Sequence, residues 1–323
     1  MSEVLETTHP PVRRTPPAWH YGTRQALMAR IEEKRAVVLA WLGAEIFSTA
    51  KVLAQVLGLK KTGTQQTLAA MKRDGLIDFQ LVEWHAASIQ LVVLTQHGAG
   101  IAGEGGEGYQ QGKVAASQIG HQLDVQLARL DLERAGWKDW VAERALREAC
   151  AAEEKDESLP VLQRRWLKVP DGVGLSKTGR TVAIEMERSI KTSKSYMTIA
   201  GLYVHMLNRR KVDEEGVEEA GPVVDRVLYI TTTDRVRDAL HSKFQRIEEI
   251  NFPDAVARQG NRRRIKTERL PFEKGDKQKF WFASMDDLRK NAPPRHAAET
   301  AEEYRERIAR EKQQAQPQPN GDA

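Results

Sequence analysis

Apolar residues recur along this chain with two different periods, and the changes between them mark out its elements. Val37, Val38, Leu39, Trp41 and Leu42 give a first apolar helix. Thr49 is placed to cap a second, Lys51 to Leu57, which stops at Gly58. Thr62 to Arg73 predicts a third, with Leu68 and Met71 inward, Thr64, Gln65, Gln66, Lys72 and Arg73 outward, and Gly75 at its end. The period then falls to two. Leu76 to Trp84 and Ile89 to Thr95 read as strands joined by a turn over His85, Ala86, Ala87 and Ser88.

Three helices followed by a hairpin predict a winged helix-turn-helix over residues 23–97, whose third helix would enter a major groove. Charge supports that reading, because Lys51 to Gly75 holds five Lys/Arg against one Asp. Lys60, Lys61, Lys72 and Arg73 are expected to meet phosphates, while Thr64, Gln65 and Gln66 read base edges or further phosphates. The competing expectation is a winged helix used for dimerisation or protein contact.

Residues 98–113 predict a linker, since seven of the fifteen positions from Gly98 to Gly112 are glycine. A second domain is expected over 114–291. Its elements are a helix from Val114 to Ala135 bearing Ile119, Leu123, Leu127 and Leu130, and another from Trp140 to Cys150. Strands Gly172 to Ser176 and Arg180 to Glu187 follow, then a helix from Lys191 to Arg210 and a strand from Val223 to Thr231. A helix from Asp234 to Glu249 and a strand from Lys279 to Ala283 complete it. His121, on the first of these helices, reads as a packed or solvated histidine. Residues 1–22, with two Pro-Pro pairs, predict a flexible arm, and 292–323 a disordered or charged tail.

The candidate chemistry lies around the hairpin that turns at Lys177, Thr178 and Gly179. Glu185 and Glu187 are two apart on one strand and share a face. A three-residue loop would set Asp171 opposite Glu185, whereas a two-residue loop would put them on opposite faces. In the first register Asp171, Glu185 and Glu187 converge. Their mutual repulsion is then relieved by a hard divalent cation, Mg²⁺ or Mn²⁺, which can polarise a phosphodiester. The competing expectation is a solvated acidic strand end.

The order helix, three strands, helix, strand, helix matches the core of PD-(D/E)XK nucleases. Four segments, His121-Gln-Leu-Asp-Val-Gln, Trp140-Val-Ala-Glu143-Arg-Ala-Leu-Arg, Pro170-Asp171 and Ile184-Glu185-Met-Glu187, resemble the replication-relaxation family, which includes MobC-type plasmid mobilisation proteins. The resemblance implies an α+β protein with a winged helix ahead of a restriction-endonuclease-like core, spanning residues 35–290. It implies Asp171 and Glu185 as metal ligands, Glu143 as an additional acid, and a double-stranded DNA partner at an origin-like site. Relaxosome or replication proteins are further implied partners. Glu187 stands where the motif has lysine, so Lys191 or Lys194 is expected to supply that charge. Nicking through a tyrosine would require Tyr196 or Tyr203 exposed near the carboxylates, and their spacing predicts packing instead. The implied activity is metal-dependent DNA nicking; the alternative is a non-catalytic replication or transcription regulator on a degenerate nuclease fold.

Composition changes this picture little. With 50 Lys+Arg against 45 Asp+Glu the net charge is only +5, so the placement of charge matters more than its sum. The lone Cys150 excludes an internal disulfide, and no apolar run is long enough for a membrane span, which predicts a cytoplasmic protein. Arg258 to Lys266, including Arg262, Arg263 and Arg264, holds five Lys/Arg and no acid; it reads as a basic loop contacting phosphate.

Overall fold

The computed structural model describes residues 23–84, 87–103, 116–155, 161–208, 211–212, 218–219, 223–259, 262–291, 295–296 and 300–314. The predicted arm, residues 104–113 of the predicted linker, and His85 and Ala86 of the predicted turn lie outside them.

The chain is α+β. Its first unit is α1 (Arg24–Glu45), β1 (Phe47–Ser48), α2 (Ala50–Val56), α3 (Lys61–Arg73), β2 (Ile77–Trp84), β3 (Ala87–Leu94) and α4 (Gln96–Ile101). Thr49 caps α2 as expected, accepting from the Val52 amide at 3.3 Å. The strand β1 is too short to leave a periodic signal. It nevertheless adds to the hairpin, Phe47 opposite Val93, giving the order β1-β3-β2. Ala87 and Ser88, expected in the turn, belong to β3 and pair with Trp84 and Glu83. Val38, Leu42, Leu53, Leu68, Met71 and Leu94 close the core of this unit.

The glycine run begins inside packed structure, which corrects the linker's start. Gly98 lies in α4, where an added Cβ would meet the Leu76 carbonyl oxygen at 1.9 Å, and Ala99 is fully buried. Here glycine is required by close approach rather than by flexibility.

The second unit is α5 (Ala116–Arg134), β4 (Lys138–Ala142), α6 (Glu143–Lys155), a 3₁₀ turn (Val161–Gln163), β5 (Gly172–Leu175), β6 (Thr181–Glu187) and α7 (Ser193–Asn208). It continues through the two-residue strands β7 (Lys211–Val212) and β8 (Glu218–Glu219), then β9 (Arg226–Thr231) and α8 (Asp234–Arg246). Next come β10 (Glu249–Gln259), β11 (Arg262–Pro271), α9 (Lys274–Lys277), β12 (Phe280–Ser284) and α10 (Met285–Arg289). β13 (Arg295–His296) and α11 (Ala301–Gln314) follow.

Six strands form one sheet in the order β13-β12-β9-β6-β5-β4. β6, β9 and β12 run parallel, while β4, β5 and β6 form an antiparallel meander. Three expectations change here. Trp140 to Ala142 are strand rather than helix; the predicted basic loop is the hairpin β10–β11; and Arg295 and His296 of the predicted tail extend the sheet.

α7 and α8 cover one face. Tyr196, Tyr203, Tyr229, Phe244, Phe280 and Phe282 are all at most 1% exposed there. α5 covers the other, with Val125, Ala128 and Leu132 against Val182, Ile184 and Met186. α5 also buries Leu130 in the first unit's core, so one helix serves both units. Gln126 is fully buried at that junction. Its carboxamide donates to the Phe47 carbonyl at 2.7 Å and accepts from Ser48 Oγ at 2.7 Å and Trp41 Nε1 at 3.4 Å. No helix among the described residues is long and apolar enough to cross a membrane.

Candidate functional site: an acidic centre and two basic elements

The β5–β6 hairpin takes the three-residue register. The Ser176 amide donates to the Arg180 carbonyl at 2.9 Å around Lys177, Thr178 and Gly179, and Gly179 sits at φ +75°, in the left-handed region that glycine adopts without strain. In that register Gly172 faces Ile184, and Asp171, just outside β5, donates its amide to the Ile184 carbonyl at 3.0 Å.

Each carboxylate is met by a resident cation or donor. Glu185, 6% exposed, takes Lys168 Nζ and the Tyr203 hydroxyl on the same oxygen. Burial pushes its carboxyl above the usual range, against the opposing charge of Lys168. Asp171 accepts the Met186 amide at 2.7 Å and stands 3.1 Å from His121 Nε2. Burial pushes Asp171 up, but the His121 hydrogen bond and charge, with the Met186 amide, outweigh it and hold the carboxyl below its ordinary value. The hydrogen bond to Asp171 in turn raises the His121 imidazole above its ordinary value, against burial. Glu187 is buried and pairs with Lys191 Nζ at 2.6 Å.

The carboxylates are thus addressed from two faces. Tyr203 of α7 reaches Glu185, whereas His121 of α5, on the opposite face, reaches Asp171. Glu143 starts α6 and accepts from Arg147 Nε at 2.8 Å. It lines a cavity of about 720 Å³ together with Glu45, His121, Gln122, Arg147 and Asp171. Among the described residues no group of three or more His, Cys, Asp or Glu is arranged to hold a metal ion. The predicted set Asp171, Glu185, Glu187 and Glu143 therefore does not fit a metal as placed, and no step through one is derived. Lys168, His121 and Lys191 supply the compensating charge.

Two of these residues were not legible as site residues. Lys168 has no mark in the sequence beyond lying three positions before Asp171. His121 reads as an ordinary helical histidine until the sheet brings Asp171 to it. Tyr196 and Tyr203 are fully buried, as their spacing predicts, but Tyr203 also touches the centre.

On α3, Lys61, Gln65, Gln66, Lys72 and Arg73 are exposed, as is Lys60 at its N-cap. Lys72 pairs with Asp78 at 2.8 Å and lies over the Phe79 ring. Thr64 is a correction. It is 1% exposed and donates from Oγ1 to the Lys60 carbonyl at 3.2 Å, because it lies four residues before Leu68 on the inward stripe. Arg262, Arg263 and Arg264 lie at the start of β11, paired with Gln259, Arg258 and Ala257.

Compared with known proteins, the chain matches no family model, no curated protein and no solved structure.

Proposed function

We propose that this protein binds duplex DNA through a winged helix-turn-helix, with α3 as the groove-entering helix and β2–β3 as the wing, attached to a nuclease-like α/β core. The observation that carries the proposal is the outer face of α3. It presents Lys61, Gln65, Gln66 and Arg73 to solvent on a helix held by a unit of three strands and four helices. Cations flanking amides on one exposed helix face suit phosphate positioning around base-edge contacts. The role implied by the motif resemblance is marking a site near a plasmid or mobile-element origin, with relaxosome or replication proteins as partners.

Replacing Lys61, Gln65, Gln66 and Arg73 together by alanine is expected to weaken binding to a labelled mixed-sequence duplex at least about tenfold. The slope of log K against log salt should fall by about two, one per lost phosphate contact. Anisotropy titrations from 50 to 200 mM salt read both quantities, and a variant that binds like the wild type rejects the winged-helix assignment.

A second reading, favoured by Asp171, Glu185 and Lys168 lying close enough to act on one another's charge, is that the core nicks DNA. Supercoiled plasmid, incubated both with and without added Mg²⁺ or Mn²⁺, would then relax with the wild type and not with Glu185→Ala. Unchanged topology with the wild type leaves the non-catalytic regulator.

A further inference from the structure

The hairpin β10–β11 has a chemistry that changes along its length. Its base is bolted to α7. The Asn251 side-chain amide donates to Thr198 Oγ1 at 2.9 Å, the Phe252 ring lies 5.5 Å from that of His205, and Ile250 is 1% exposed. The approach is so close that a Cβ on Gly201 would meet the Asn251 carbonyl oxygen at 2.0 Å. All three acids of the hairpin, Glu249, Asp254 and Glu268, lie in this basal half, and Glu249 pairs with Arg269 at 3.4 Å.

The register shifts between Pro253 and Ala255, and beyond that bulge the composition reverses. From Ala255 to Lys266 there are five Lys/Arg and no Asp or Glu. The register sets Arg258 directly opposite Arg263, with Gln259 opposite Arg262 and Ala257 opposite Arg264. Like charges directly opposite one another destabilise a ladder. A ribbon with this charge composition suits an anion that meets its distal half from outside. Five residues per strand beyond the bulge, at about 3.4 Å each, give a ribbon about 17 Å long. A two-stranded ribbon is also an element that the roughly 12 Å wide DNA major groove admits.

We propose that the distal half of β10–β11 is a second DNA-binding element, a basic β-ribbon that lies in a groove of the duplex with Arg258, Arg262, Arg263 and Arg264 against its phosphates. This rests on the reading of the protein as a duplex binder and adds a contact independent of α3. Anchoring to α7 ties the ribbon to the helix that carries Tyr203, so the ribbon holds DNA on the same body as the acidic centre.

The test uses the full chain with Arg258, Arg262, Arg263 and Arg264 all changed to glutamine, beside the α3 variant above. On a labelled mixed-sequence duplex, the salt slope should fall by about three to four. The thermal midpoint should stay level or rise, since glutamines opposite one another carry no like charge across the ladder. A wild-type salt slope in the ribbon variant overturns the ribbon, and if the α3 variant alone has lost binding the winged-helix reading survives. Loss in the ribbon variant alone keeps the ribbon and rejects α3. Wild-type binding by both variants overturns both. Phosphatidylserine vesicles form the control: loss of vesicle binding with an unchanged DNA slope would assign the ribbon to a membrane surface and overturn the proposal.

Discussion

Lys168→Met is expected to destabilise the protein by about 3 kcal/mol at pH 8 and by clearly less at pH 5. Removing one partner of a buried ion pair costs roughly 3–5 kcal/mol, and the lower end applies because the Lys168 side chain is 23% exposed. Glu185 is left inside the sheet with only the Tyr203 hydroxyl on its carboxylate. The pH dependence follows from direction alone. Burial already raises the Glu185 carboxyl above its ordinary value, and the charge and hydrogen bond of Lys168 oppose that rise. Without Lys168 the folded-state value moves further up. A carboxyl raised in the folded state disfavours folding increasingly as pH climbs from its unfolded value through its folded one. Below that window it is neutral in both states, and the mutant's deficit shrinks. Urea unfolding of both proteins at pH 5 and pH 8 measures the difference, and adding Glu185→Gln should flatten the mutant's pH dependence. An equal deficit at both pH values would mean that Lys168 acts through packing, not charge.

Gln126→Leu should cost about 3 kcal/mol or more. The leucine fills similar space but strands three polar groups at once: the Phe47 carbonyl, the Ser48 hydroxyl and the Trp41 indole N–H. Each unsatisfied buried group costs about 1–3 kcal/mol, so these losses outweigh the gain from a more apolar side chain. The site also joins the two units, since α5 packs Leu130 into one core and Val125, Ala128 and Leu132 into the other. Equilibrium unfolding in urea gives the number. A loss below 1 kcal/mol would show that the carboxamide is dispensable and that α5 joins the units by apolar contact alone.

How far each feature was legible depends on the range of the interaction that makes it. Caps, stripes and tight turns are local. Thr49 capping α2, Leu68 and Met71 inside α3, and the loop ending at Gly179 are all determined within a few residues. Thr64 escaped the same argument only because its hydroxyl reads as polar, while its position on the Leu68–Met71 stripe is inward. β1 and β4 escaped for another reason. A two-residue strand has no period, and Trp140 to Ala142 become strand because β5 offers a ladder at the sheet edge. The hairpin β10–β11 shows the same limit. Arg262, Arg263 and Arg264 carry no alternation, so only pairing with β10 makes them strand.

The amino-acid sequence by itself therefore determined the helices with strong apolar faces, the buried strands β6 and β9, and the placing of Glu185 and Glu187 two apart on β6 with Asp171 just ahead of β5. Only the tertiary structure decided what meets those carboxylates. Lys168, His121 and Tyr203 come 3, 50 and 32 positions from Asp171 along the chain. They are brought together by a sheet that sets α5 on one face and α7 on the other. Periodicity reports which side of an element is buried. Which charge lies across from it follows from packing between elements distant in sequence.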